Sequence, residues 1–444
     1  MDNVLDVLDQ RTFDVAQALG INSLLQCVWI YNRPIDVDGL RRFHHHLEHG
    51  RLARRIERSP LPFGRHRWVA TEGPSEIEFV PTPRPRTDLE DWLDEQVHIP
   101  LDPELGPGLH LAVLPFTDGG YAISLIVSHS LVDGVGLCLA LTEAALGRDS
   151  SIDWPPPASR GRWQALRQDI VQTARDVPTM IRAVTTVLRT ARKAGTGGGS
   201  AQPSRSATVE VIDDDEGSIA PVPMATMFVD AAQWEARAQE LGGTNNSLLV
   251  GVAARLAKRV GRLTADGRVV VGLPVNQRVE GDTRANARTN VTVTVDPDLA
   301  TTDLRDIRAA VKQALIHLQE HPAETHAIDP LIPVLPKRLL RAGSRTDGSS
   351  GVGSSNLGVV DDAAGRADGT DADRFSIGVL PHMGITQEML HRFDGVQTFL
   401  SGIAQGRVFI TAASSQPGHT GSSEDLRKDL SHALSDFSLT GASF

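Results

Sequence analysis

Cysteine is nearly absent from this chain: Cys27 and Cys138 are the only two in 444 residues, and both sit in apolar surroundings. Two cysteines cannot build a disulfide framework or a cysteine-rich zinc site, and they suit a reducing compartment. Basic charge is also in deficit. Lys and Arg number 44 against 55 Asp and Glu, a net charge of −11, which argues against a general nucleic-acid binder. No run approaches the ~18 consecutive apolar residues of a membrane span. The N-terminal Met-Asp-Asn-Val-Leu-Asp has no basic stretch leading into an apolar core, so no secretory signal is expected. There is no Gly-x-Ser-x-Gly elbow, no Gly-x4-Gly-Lys-Ser/Thr loop and no Gly-x-Gly-x-x-Gly turn of dinucleotide-binding type. Serine-hydrolase, nucleotide-hydrolysis and hydride-transfer chemistries therefore lack a footing. No internal repeat is visible. These absences describe a cytoplasmic globular protein, long enough for two cores.

What is present centres on Tyr121–Gly147. An apolar alternating run ends in Ser128-His129-Ser130-Leu131-Val132-Asp133-Gly134 and passes into an apolar helical segment. Upstream, Leu109–Phe116 alternates in the same way, and Thr117-Asp118-Gly119-Gly120 between the runs reads as a hairpin turn. His129 is thus expected at a strand–turn–helix corner, where a scaffold holds reactive groups rigidly. By burial statistics alone, a lone histidine there is more often a satisfied core side chain than a base.

Elsewhere the pattern alternates helix and strand. Helices are expected at Leu5–Gly20, Val37–Arg58, Asp88–His98, Ala231–Leu241, Leu248–Val260, Leu304–Leu318 and Glu424–Phe437. Strands are expected at Leu24–Tyr31, within Trp68–Val80, and at Met224–Val229, Val269–Leu273, Asn290–Val295, Ser376–Leu380, Thr398–Ile403 and Arg407–Ala412. His45 and His49 have metal-ligand spacing on a helix, but no further ligand completes a site, so a solvated histidine face is expected and no metal. After Trp154-Pro155-Pro156-Pro157, the stretch Ser159–Ala194 carries eight basic against two acidic residues. It also carries an apolar stripe of Ile170, Ala174, Val177, Ile181, Val184 and Leu188, with Pro178 a kink or boundary. The expectation is a connector whose stripe packs on the protein's own core. The alternative is a face for anionic lipid or an acidic carrier protein. A Gly/Ser stretch, Gly195–Ser206, and an acidic turn, Asp213–Glu216, follow. The division expected is 1–158, a connector over 159–204, and 205–444, in an α/β fold of two lobes.

SHSLVDG resembles the HHxxxDG motif of the condensation-domain and acyltransferase superfamily, whose architecture is similar to chloramphenicol acetyltransferase. His129 matches the motif's catalytic second histidine, and Ser128 stands where the first would be. Further stretches resemble the wax ester synthase/diacylglycerol acyltransferase branch. They are Leu8-Asp9-Gln10, the Pro-rich break with its basic helix, Gly242–Ser247 (GGTNNS, against GGTVND), Leu273–Arg278 (LPVNQR, against VPVSVR) and Ser354–Gly358 (SSNLG, against SNxxG). Gly106–His110 departs from that branch's PLW element.

The resemblance implies two chloramphenicol-acetyltransferase-like lobes with an active-site tunnel between them. It implies transfer of an acyl group from a thioester to an alcohol, with His129 as base. Main-chain N–H groups around Gly134 would receive the oxyanion, and Gly134 would let substrate approach. Asp133 would be paired with an arginine, for which Arg278 is the candidate. Asn246 would be a second support, and Ser128, Ser355 and Asn356 would contact substrate. No bound cofactor is implied; acyl-CoA or a phosphopantetheine-linked acyl group is substrate. The expected partners are an alcohol or amine acceptor and a carrier protein or anionic membrane surface. The alternative activity is a stand-alone condensation enzyme forming an amide or ester in natural-product biosynthesis. A scaffold that has lost the reaction is the third reading, favoured only by Ser128.

Overall fold

The computed structural model describes residues 3–73, 75–148, 151–196, 219–321, 328–336, 338, 340, 351–418 and 421–444. The acidic turn Asp213–Glu216 and nearly all of the Gly/Ser stretch lie outside them. The first half contributes α1 (Val7–Leu19), β1 (Asn22–Tyr31), α2 (Val37–His49), β2 (Arg54–Glu57), β3 (Arg67–Ala70) and β4 (Ile77–Phe79). It continues with α3 (Leu89–Val97), β5 (Leu109–Pro115), β6 (Tyr121–Ser128), α4 (Gly134–Ala145) and α5 (Arg162–Thr196). The second half supplies β7 (Met224–Asp230), α6 (Ala231–Glu240), α7 (Asn245–Arg259), β8 (Val269–Asn276), β9 (Arg288–Val295) and α8 (Arg305–Glu320). It ends with β10 (Val352–Val359), β11 (Arg374–Met383), β12 (Val396–Ala404), β13 (Arg407–Ser415) and a closing helix, Ser423–Ser435.

Two sheets organise these elements. The first runs β11-β1-β6-β5-β4 and the second β7-β13-β12-β10-β8-β9. β1 is central because both its faces are covered. Cys27, Trp29 and Tyr31 join the core containing α2 and α4, while Val28 and Ile30 meet Trp92 and Leu93 of α3 on the other side. A strand covered on both faces reads as an apolar run rather than an alternation. The β5–β6 hairpin forms as its turn chemistry requires, with Gly119 at φ 90° and Phe116 N–H bonded to the Gly120 carbonyl at 2.7 Å. β11 comes from the second half yet pairs antiparallel with β1, Leu25 opposite Val379. The lobe limits 1–158 and 205–444 do not capture this exchange.

At the β8–β9 edge of the second sheet the apolar parity is regular. Val291, Val293 and Val295 of β9 and Val269, Val271 and Leu273 of β8 face a core built on α7 and the closing helix. The alternate residues of β9 (Arg288, Asn290, Thr292 and Thr294) therefore take the opposite face.

Two expectations are corrected. The helix expected over Val37–Arg58 ends at His49, and Ile56 lies on β2. Gly50 breaks the helical run, and the apolar spacing beyond it belongs to a strand. The stripe of α5 is not packed on the protein's own core among the described residues: Ile170, Val177, Ile181 and Val184 are 43–58% exposed. The helix is anchored instead near its start, where buried Asp169 accepts from Arg67 (3.1 Å), Arg160 (3.0 Å) and Ser59 (2.6 Å). It runs through Pro178. No described helix is long and apolar enough to cross a membrane.

Candidate active site

β6 delivers His129 by extending its own ladder. Leu24 pairs with Ser128, and His129 N–H then bonds the Ser23 carbonyl at 2.8 Å. A turn closes with Leu131 N–H on the Ser128 carbonyl at 2.9 Å, and Asp133 caps α4 by accepting from Gly136 N–H at 2.7 Å. A side chain at Gly136 would come within 3.0–3.2 Å of Val132, the Asp133 carboxylate and Arg278, so glycine lets that pair close over the helix start. At Gly134 a Cβ would stand 2.8 Å from Leu357 of β10. Sequence reading gave that space to substrate; the fold gives it to Leu357, which seats the second sheet against the first turn of α4.

The facing wall is Gln277–Ala287, between β8 and β9. The second oxygen of Asp133 accepts from the Arg278 guanidinium at 2.9 Å and from Ala287 N–H at 2.8 Å. Both side chains of this ion pair are 5% exposed. Arg278 also donates to the carbonyls of Arg284 (2.8 Å), Ala285 (3.2 Å) and Asp282 (3.3 Å). Asp133 is thus fully engaged, and it makes no hydrogen bond to the His129 ring.

A second buried carboxylate braces the same wall from α1. Asp9 accepts from Ala285 N–H at 3.1 Å and Asn286 N–H at 2.6 Å. Burial raises its pKa to about 6, against the lowering influence of Arg54 and the two N–H groups. Arg54 lies 4.3 Å over the Trp68 ring and donates to the carbonyls of Thr283 and Leu131; burial pulls its pKa down to about 10. Asn286, so placed, donates to the His129 carbonyl at 3.2 Å.

His129 as a residue is half-buried. Its Nδ1 is buried without a hydrogen-bond partner from another residue. Its pKa is lowered to about 4, first by burial and then by the positive charge of Arg288, while its own main-chain carbonyl, Asp133 and Asn286 act upward. The ring is neutral at pH 7.

The other candidate residues are placed less centrally. Ser128 is buried beneath the corner, its hydroxyl 3.4 Å from Asn22 Oδ1. Ser355 is half-buried on β10, opposite Leu400 of β12. Asn356 spends its side-chain oxygen on Gly358 N–H (2.8 Å), shaping a bulge in β10 rather than facing the corner. Asn246 lies in the first turn of α7, whose cap is Thr244, and no hydrogen bond ties it to the corner among the described residues. Sequence reasoning missed Gly136, Asn286 and Arg288. It quoted Asp9 without giving it a role, although an Asp-Gln pair flanked by apolar residues in a helix was a signal. Cavities of about 340, 760 and 1040 Å³ lie elsewhere, and His129 lines none of these.

No protein-family model matches this chain, and no curated protein does. Solved structures do match in fold. The whole chain aligns with 98% of the first condensation domain of the CDA synthetase, with a TM-score of 0.59 and 14% identity. It aligns over 98% of both chains with the wax ester synthase/diacylglycerol acyltransferase from Marinobacter aquaeolei VT8, with a TM-score of 0.55 and 13% identity. Polyketide synthase associated protein 5 from Mycobacterium tuberculosis aligns over 96% of both chains, with a TM-score of 0.53 and 15% identity. The chain therefore shares the α/β fold of these condensation-domain and wax ester synthase structures.

Proposed function

We propose, from this fold and from the way His129 is held, that the chain transfers an acyl group from a thioester to an alcohol. The observation that carries the reading is the imidazole itself: Nδ1 enclosed without a partner from another residue, and a ring kept neutral by its surroundings. With its own carbonyl beside it, Nδ1 is assigned the proton, so Nε2 keeps a lone pair. That atom takes the acceptor's hydroxyl proton as the oxygen attacks the thioester carbonyl. The tetrahedral oxyanion then expels the thiolate, which receives the proton from the imidazolium. A positioned base is worth roughly 10²–10⁴-fold, and alignment of two substrates about 7–11 kcal/mol more. Gly136 N–H is taken by Asp133, which leaves the Gly134 and Val135 N–H groups of the first turn as oxyanion donors. Asp133 and Arg278 brace the corner and carry no proton.

Acyl-CoA and phosphopantetheine-linked acyl groups both fit as donor, and no bound cofactor enters the scheme. A second reading, amide or ester condensation with a carrier-bound donor, is supported by the condensation-domain alignment. The test is a panel of acyl-CoAs, with free thiol followed in the presence and absence of alcohols and amines. Acceptor-dependent thiol release that is lost in His129→Gln supports the proposal, and release unchanged in that variant overturns it. Turnover confined to amines, or to donors on a co-purifying carrier protein, selects the second reading.

A further inference from the structure

The charged side chains around His129 are paired with one exception. Arg278 has Asp133, Arg284 has Asp282, Arg11 has Asp329, and Arg54 has two carbonyls and an aromatic ring. Arg288, the first residue of β9, has no ion pair and no hydrogen bond from its side chain among the described residues, and its Nε is buried without a partner. We propose that Arg288 binds a carboxylate on the substrate that reacts at His129, an inference that rests on the acyl-transfer reading.

Three observations converge. The parity of β9 sends Val291, Val293 and Val295 into the core of the second sheet, so Arg288 takes the face opposite that core. The chain leading into it is fixed to the corner: Asn286 bonds the His129 carbonyl, and Ala287 N–H bonds Asp133. The guanidinium is close enough for its charge to act on the His129 ring. Burial disfavours this cation, and the one carboxylate whose charge favours it, Asp133, is already paired with Arg278, so a fold that braces every neighbouring arginine leaves this one for something absent from the chain. A planar guanidinium with free N–H groups matches a carboxylate in bidentate geometry. The phosphates of a CoA or phosphopantetheine donor lie a full pantetheine arm from the thioester, so a cation beside the base meets the acyl chain or the acceptor instead. Once occupied, the pair would also relieve the cation's pressure on His129 and make the base stronger only in the loaded site.

Binding to the full chain, measured by calorimetry without turnover, tests this with two matched pairs: succinyl-CoA against butyryl-CoA, and 3-hydroxybutyrate against its methyl ester. The carboxylate member of one pair should bind more tightly. Preference in the first pair places the carboxylate on the acyl chain, and in the second on the acceptor. Arg288→Met should weaken that member by about 30-fold or more and leave its neutral analogue unchanged, the low end for removing one partner of a buried charge pair. Arg288→Lys should retain part of the preference. Carboxylate binding should raise the His129 pKa seen by imidazole NMR in the wild-type protein. That titration decides the matter if Arg288→Met does not fold. No preference in either pair, a preference that survives Arg288→Met, or equal loss of both CoA esters (a phosphate contact) overturns the proposal. Failure of acyl transfer is separate: it would appear as absent thiol release with the binding preference intact.

Discussion

The corner Tyr121–Ala145 and the wall Gln277–Arg288 meet around one imidazole, yet they are built by opposite means. The corner is regular and apolar. Strand, turn and helix are fixed by Leu125, Val127, Leu137 and Leu141 in a shared core, with one carboxylate at the helix cap. The wall is irregular and carries Arg278, Arg284 and Arg288. It is held by carboxylates from elsewhere in the chain, Asp9 of α1 and Asp133 of the corner. Hydrophobic packing thus places the imidazole, and buried ionic hydrogen bonds set the field around it. The first is insensitive to charge changes; the second is made of little else.

The sharpest way to separate the two is to remove the proposed base alone. His129→Ala should lower turnover by about 10²–10⁴-fold with fold and thioester binding retained. The loss should fall in kcat more than KM, because the proton moves only in the transition state. Steady-state kinetics with circular dichroism on the variant checks both halves.

Next in size is the wall's main brace. Asp133→Ala and Arg278→Ala should each cost about 3–5 kcal/mol of stability, since each leaves an unpaired buried charge. The double variant should lose clearly less than the sum, and additive losses in urea melts would show that the contact contributes little. Asp9→Ala strips the acceptor from two buried N–H groups and should cost about 1–3 kcal/mol. Activity should suffer alongside, because Asn286 then loses its anchor beside the His129 carbonyl.

The pH response carries signs from both regions. His129 has a folded pKa of about 4, below its ordinary 6.5. Between those values the unfolded chain takes up a proton that the folded chain refuses, so stability falls as pH drops from 6.5 to 4. Asp9 runs the other way: with a folded pKa raised from 3.8 to about 6, it lowers stability as pH rises through that window. Wild type minus His129→Gln in thermal melts should isolate the first slope. The acid limb of the rate should fall near pH 4 rather than near 6.5. Smallest of all is Ser128→Ala: a buried hydroxyl 3.4 Å from Asn22 should change turnover by less than about threefold.

Much of this was legible in one sequence, for identifiable reasons. β5, β6 and α4 follow from alternation, an Asp-Gly turn and an apolar helical segment, all of them local. Arg278 could be named only through the resemblance, because its partner is 145 residues away and no local pattern links them. Asn246 and Asn356 show the limit of that route, since motif likeness gave them roles while, among the described residues, no hydrogen bond ties either to the corner. The stripe of α5 shows another limit: apolar spacing fixes a helix face but not what lies against it.

By itself, then, the sequence determined the elements and the strand–turn–helix corner that carries His129, because helix, strand and turn preferences act over a few residues. Tertiary structure alone decided that β11 would cross to the first sheet, that Asp9 would grip the wall, and that Leu357 would fill the space at Gly134. It also left the Arg288 side chain without a hydrogen bond or ion pair among the described residues. Burial and charge pairing depend on which distant segments meet, and only the folded chain brings residues 9, 129, 133 and 288 together.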